Sequence, residues 1–139
     1  EEYYDSNPKE VREFAEKNPF LIYHDITHVI FGLGTSIGEE SLLDTWTLKG
    51  TNITWKQIFE YTFDKNLRDL TKVVVKGQGG WLKIIRVVIK AIPQKLEIRF
   101  NRIPKMKKKW PYSNFKEEIM SKPISDIRTE YGIKIIHYK

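Results

Sequence analysis

The chain has 139 residues, 40% of them hydrophobic and 13% aromatic, which suits one domain with a core of its own. It has no cysteine, which excludes disulfides, thiolate zinc fingers, iron–sulfur clusters and a cysteine nucleophile, so any metal must be held by His, Asp or Glu. The net charge of +6, much of it between Lys72 and Lys109, favours anionic partners, with a solvated basic surface as the alternative.

Asn7-Pro8 opens a helix by cap and first position, and Val11, Phe14 and Ala15 give it an apolar stripe. Asn18-Pro19 ends it and starts a second helix through FLIYHDITHVIF, which Gly32 and Gly34 stop. Ser36 followed by Glu39 is a capping-box pattern opening a helix through Leu42, Leu43 and Trp46. Thr51 or Asn52 caps the next, with Trp55, Ile58, Phe59 and Thr62 on one face.

GQGG at 77–80 is a loop. WLKIIRVVIKAI follows, and Lys83, Arg86 and Lys90 at helical spacing predict a helix ending at Pro93. KLEIRF alternates and suits a short strand or a helix, and IPKMKKKWPY is a basic loop. Ser113 and Ser121 begin two last helices, through FKEEIM and ISDIRTEY, and Gly132 caps the end. IKIIHYK is a terminal tail with strand character. The expected fold is all-α, a single mostly helical domain over residues 1–139 with a short strand allowed at the C-terminus. No apolar run approaches the ~20 residues of a spanning helix. The chain begins at Glu1 and not Met, which leaves room for a segment upstream.

His24 and His28 are four apart on the second helix. That spacing puts both imidazoles on one face, about 6 Å apart at Cβ, as two nitrogen ligands from one rigid element require. Asp25 lies beside that face, where it can ligate or orient an imidazole. The turn GLGTS can fold the following helix back and bring Glu39 or Glu40 across. The alternative needs no metal: a His pair on an amphipathic helix with Asp25 and Glu39 as helix-end charges. HDITH differs from HExxH by an Asp one methylene short, and no third ligand of a zinc peptidase is evident. GLGTSIG carries its third glycine one position late for a dinucleotide loop and follows a helix. No GxSxG or Walker pattern occurs, and Asn52-Ile53-Thr54 is a glycosylation sequon with nothing to place it in a secretory compartment.

At HDITHVIFGLGTSIGEE the chain resembles the Coq4 family of ubiquinone-biosynthesis proteins, which carries H-D-x-x-H, eleven residues, then E. The pattern falls on His24, Asp25, His28 and Glu40, with the family's glycine at Gly32. KPISDIRTEYGI resembles the family's C-terminal Arg…Gly-Ile segment. The likeness touches both ends of the chain, and the middle matches only in helical character. Two features depart from it. Family members place Gly directly before the ligand Glu, whereas Gly38 here precedes Glu39. Count and the register of Leu42, Leu43 and Trp46 select Glu40, and a one-residue deletion would select Glu39. The family also has more helix before the HD motif, so a short or N-terminally truncated member is expected.

The resemblance implies a divalent metal, usually zinc, held by His24, Asp25, His28 and Glu40. The ligand types alone suit Fe or Mn equally. It implies a helical protein binding a prenylated quinone precursor at a membrane, on the bacterial cytoplasmic face or the matrix side of the mitochondrial inner membrane. It also implies a place among other quinone-biosynthesis proteins, as organiser or in replacing the C1 carboxylate of a benzoate head group by hydroxyl. A non-catalytic lipid-binding scaffold and a metal-dependent hydrolase are the rival classes, and homo-oligomerisation is left open. On physical grounds, WLKIIRVVIKAIPQKL and the KMKKKW loop beside Trp110 suit an anionic membrane face, with a buried core helix plus an ordinary basic loop as the alternative. Nucleic acid is the weaker reading of the same charge, because no helix-turn-helix pattern or exposed aromatic platform is visible.

Overall fold

The structure is a computed structural model and describes residues 19–63, 72, 75–77, 79–114 and 117–139. The expected helix over Asn7, Val11, Phe14 and Ala15, and the cap at Asn18, lie outside the described residues, as does part of the FKEEIM segment.

The architecture is all-α, as the sequence predicts. Helix α1 spans Pro19–Phe31, α2 Ile37–Gly50, α3 Trp55–Phe63 and α4 Trp81–Glu97. A π-helical turn (Ile98–Arg102) and a 3-10 turn (Ile103–Lys105) extend α4, and α5 (Glu117–Met120) and α6 (Ile124–Tyr131) follow. Among the described residues the only β pairing is an isolated parallel bridge between Thr51 and Trp110.

Gly32 ends α1. Its φ of +68 suits glycine, and the Gly32 and Leu33 amides both donate to the His28 carbonyl, at 2.9 and 3.1 Å. Ser36 then starts α2 with the expected capping box, in which Ser36 Oγ accepts from the Glu39 amide and Glu39 reaches back to the Ser36 amide. Gly132 ends α6 in the same left-handed conformation.

Between Pro93 and the C-terminus two expectations are corrected and one alternative is decided. Pro93 does not end its helix. It lies on the exposed side of α4, where the carbonyl it cannot serve is able to meet water, and the helix runs on to Glu97. Of the two readings of KLEIRF, helix holds, continued as a π turn. The tail from Ile133 is extended but pairs with no strand. It is held by side chains: Arg102 Nη1 donates to the Ile135 carbonyl at 2.8 Å, and Gln94 Nε2 donates to the His137 carbonyl at 2.8 Å.

The buried apolar cluster joins α1, α2, α4, the π turn, the Trp110 loop, α6 and the start of the tail. Phe31, Leu42, Leu43, Trp46, Ala91, Ile98, Trp110, Ile127 and Tyr131 are among its members. Phe31 and Trp46 stack with ring centroids 4.7 Å apart, joining the end of α1 to the middle of α2. Arg128 on α6 donates from Nε to the Ile30 carbonyl at 3.0 Å and from Nη2 to the Val29 carbonyl at 2.8 Å. These bonds to the last turn of α1 fix the helix that carries the two histidines.

Candidate metal centre

His24 and His28 point to one side of α1, one turn apart, and Glu40 comes from the first turn of α2 to meet them. His24 Nε2 lies 3.2 Å from His28 Nε2. Glu40 Oε2 lies 3.3 Å from His24 Nε2, and Oε1 lies 3.2 Å from His28 Nε2. Among the described residues this is the one group of three or more His, Asp or Glu side chains whose ligand atoms converge, all within 4.8 Å. His28 is buried at 8% exposure, and His24 and Glu40 are half-exposed. The site is thus closed on the α1 side and open on the other.

The spacing fits a small divalent ion. Ligands at 2.0–2.2 Å in tetrahedral arrangement stand about 3.3 Å from each other; the two Nε2 atoms are 3.2 Å apart, and each meets a different Glu40 oxygen, at 3.3 and 3.2 Å. The outer contacts fit too. His28 Nδ1 lies 3.2 Å from the Leu33 carbonyl, and donating there leaves Nε2 with its lone pair toward Glu40. Among the described residues three side chains converge, one fewer than a closed tetrahedral site uses.

Protons compete for the same atoms. A carboxylate can only accept, so without metal its contacts to both Nε2 atoms need protons on the rings. Burial opposes a charged His28, but the Glu40 carboxylate and the Leu33 carbonyl outweigh it and raise its pKa above the ordinary 6.5. Burial likewise opposes a charged Glu40, and the two imidazoles overcome it, holding the carboxyl at about 2. A cation binding there would have to displace any proton on the ligating nitrogens.

The remaining candidates part company. Glu39 is consumed by the helix cap: Oε1 accepts from the Gly34 amide at 3.0 Å and Oε2 from Ser36 Oγ at 2.6 Å. The hydroxyl of Ser36 lowers its pKa first of all, and burial only partly offsets this. Asp25 is not in the converging group. It lines a groove of about 300 Å³ on another side of α1 with Ile22, Ile26, Val29, Met120 and Lys122. One residue on a helix turns about 100°, so Asp25 faces away from its neighbour His24. Its charge still reaches His28 and helps raise it. The carboxylate that does share the Glu40 side is Asp44, one turn on along α2. Asp44 is itself exposed, and the neighbouring Glu40 charge opposes its ionisation. Its spacing of four from Glu40 was visible in the sequence once α2 was assigned.

Comparison with protein-family models, curated proteins and solved structures found no match.

A second feature lies on α4. Trp81, Leu82, Ile85, Ile89, Ile92 and Leu96 are all exposed, and Phe100 continues the row at 63% exposure. They recur at three- and four-residue steps, one face of a helix. Lys83, Arg86 and Lys90 are exposed beside them, and no acidic residue occurs before Glu97. Of this helix only Ala91 is fully buried, so the core-helix alternative is set aside. Trp110, in contrast, has no exposed surface and packs edge-on against Tyr131, so it is not an interfacial tryptophan. The loop lysines are engaged as well: Lys107 Nζ donates to the Thr129 carbonyl at 3.0 Å, and Lys108 pairs with Glu130. On α3, Trp55, Phe59 and Phe63 form an exposed ladder of rings, which the sequence reading lacked. No helix among the described residues is long and apolar enough to cross a membrane.

Proposed function

We propose that this protein is a metal-binding, membrane-peripheral protein that binds a prenylated quinone precursor and acts on its aromatic head group. The convergence of His24, His28 and Glu40 from two helices carries the reading. The motif that led to it resembles the Coq4 family, and that resemblance supplies the substrate class.

His24, His28 and Glu40 would hold the ion, and Leu33 and Arg128 keep α1 in place around it. A bound divalent ion supplies Lewis acidity toward a head-group carboxylate or phenolate at the fourth position. Asp44, one turn along α2 from Glu40, would offer a further carboxylate able to hold or take a proton. Replacing a ring carboxylate by hydroxyl releases carbon dioxide and is an oxidation, so it needs an external oxidant such as dioxygen. Zinc has no redox chemistry of its own, so a zinc form would bind and polarise, while iron or manganese would extend the range. The exposed α4 face, apolar with a cationic flank, supports the membrane location.

The test is elemental analysis of untagged protein combined with turnover of a polyprenyl hydroxybenzoate. Bound metal with carbon dioxide release supports the reading. Lipid retention without turnover would instead give the scaffold class, and ester or amide hydrolysis the hydrolase. Absence of metal under all loading conditions would remove the proposal.

A further inference from the structure

A groove of about 240 Å³ runs between α2 and α4, lined by Thr45, Ile92, Lys95, Leu96 and the Arg99 side of the π turn. Two of its walls are apolar and two are cationic, and none is acidic. Its size is just under the range of drug-sized sites, about 300–1,000 Å³, which suits one apolar chain with a small head better than a folded ligand.

Lys95 is the residue that gives the groove its chemistry. It is half-buried, and its Nζ donates to Ser41 Oγ at 3.1 Å. An ammonium group has three donors, and a neutral hydroxyl accepts one of them. Among the described residues Lys95 makes no ion pair within salt-bridge distance, although its charge reaches Asp44. Arg99 lies one turn further along the same side and, among the described residues, stacks on the neighbouring Phe100 ring. Ile92 and Leu96 are exposed at 45% and 49% although they stand beside these cations. Unspent donors at one end and bare aliphatic surface along the wall are complementary to an amphiphile with an anionic head.

The groove also adjoins the metal centre. Ser41, which Lys95 touches, directly follows Glu40. Turning about 100° per residue, α2 presents Glu40, Asp44, Ser41 and Thr45 in that order around less than half its circumference. An anion held by Lys95 therefore lies on the Asp44 side of the triad.

We infer that the α2–α4 groove binds a single-chain anionic amphiphile, with Lys95 receiving the head and Ile92 and Leu96 the chain. What the anion does there rests on the metal-centre reading, but the binding does not.

Oleate and oleyl alcohol, both below micellar concentration, are titrated calorimetrically into the full chain after treatment with a chelator. Oleate should bind, and Lys95→Gln should weaken it about tenfold, the worth of a charge-assisted hydrogen bond. Lys95→Arg should restore most of the affinity. Lys90→Gln, which removes an equal charge from α4 outside the groove, should change it less than about twofold, since exposed charges contribute little. Oleyl alcohol should bind more weakly than oleate and be indifferent to Lys95→Gln. Equal affinity for acid and alcohol, or equal losses in Lys95→Gln and Lys90→Gln, would overturn the site, because a bare apolar face or diffuse charge would then suffice. Titration of His28→Ala, without the metal triad, separates the two readings: oleate affinity should be retained there, whatever becomes of the metal.

Discussion

The ring of Tyr138 occupies the space that a side chain on Gly38 would need. A Cβ built at Gly38 would overlap the Tyr138 ring carbons and hydroxyl outright. The C-terminal tail is therefore seated on the first turn of α2, two residues before Glu40.

A double-mutant cycle exposes this contact. Gly38→Ala should destabilise the protein by about 1–3 kcal/mol, the range for overpacking. In a Tyr138→Ala background the same change should become neutral or mildly stabilising, because alanine is favoured over glycine within a helix by roughly 1 kcal/mol. Urea denaturation of the four proteins measures the coupling. Additive effects would mean that the tail does not rest on Gly38.

Metal retention separates the two adjacent glutamates. Glu40→Gln and His28→Ala should each lose most of the bound ion, since two ligands remain. Glu39→Gln should keep it and instead weaken the capping of α2, at a cost of about 1 kcal/mol. Mass-spectrometric metal content of untagged protein, alongside thermal melting, reads both. Equal retention in Glu39→Gln and Glu40→Gln would contradict the division of roles.

The His28–Glu40 pair sets a pH window in the metal-free protein. His28 has a raised folded pKa, so its contribution is fully present below its ordinary 6.5 and is lost as pH rises through the folded value. Glu40 is depressed to about 2, so its contribution is present above 4.5 and is lost as pH falls toward 2. The pair should therefore stabilise most between 4.5 and 6.5. Metal binding should follow the opposite trend at the upper edge and strengthen as His28 gives up its proton. Melting curves from pH 3 to 9 in chelator should show the window in the parent chain and not in Glu40→Gln. A profile identical in both would show that the pair carries no linkage.

Arg128 is expected to be more than a surface charge. Arg128→Met should cost roughly 2–4 kcal/mol, because the carbonyls of Val29 and Ile30 lose their charge-assisted partners at the end of α1. It should also weaken metal binding at a distance, by loosening the helix that aligns the imidazoles. Denaturation and metal titration test the two effects, and a change in neither would show that the bonds to α1 are incidental.

Membrane attachment should follow α4 more than the lysine loop. Lys83, Arg86 and Lys90 changed together to Gln should weaken sedimentation with anionic vesicles by up to about 1 kcal/mol per residue, and salt should weaken it similarly. Ile85→Glu with Ile89→Glu should abolish it while leaving the fold intact, since both side chains are already exposed. Lys108→Gln should instead affect stability, through its ties to Glu130 and the Tyr131 ring. Failure of the parent chain to sediment with anionic vesicles at low salt would take away the physical case for a membrane.

Much of the fold was legible because its punctuation is local. Gly32, the Ser36–Glu39 box and Gly132 act within one turn of the chain, and each ends or starts a helix as read. HxxxH and Glu40 were legible for the same reason, through helical spacing and a short turn. Asp25, which the resemblance places among the ligands, lies outside the converging group because neighbours on a helix diverge by about 100°. Pro93 was read as a stop because its cost was judged without knowing that it faces solvent. Trp110 and Lys95 depend on partners far along the chain: Trp110 packs on Tyr131, and Lys95 reaches Ser41. No local pattern encodes such pairs.

The turn between α1 and α2 has a consequence for how an ion would act on the chain. Its three ligands fall within residues 24–40, so binding closes only a short loop between two helices already held by the Gly32 and Ser36 ends. Closing so short a loop costs little entropy, and the cost grows only slowly with length. An ion held there would be a clasp on one helical hairpin and not a rivet through the whole fold. The hairpin can be loaded while later segments are still emerging during synthesis, and unloading it releases the angle between two helices before it threatens the core.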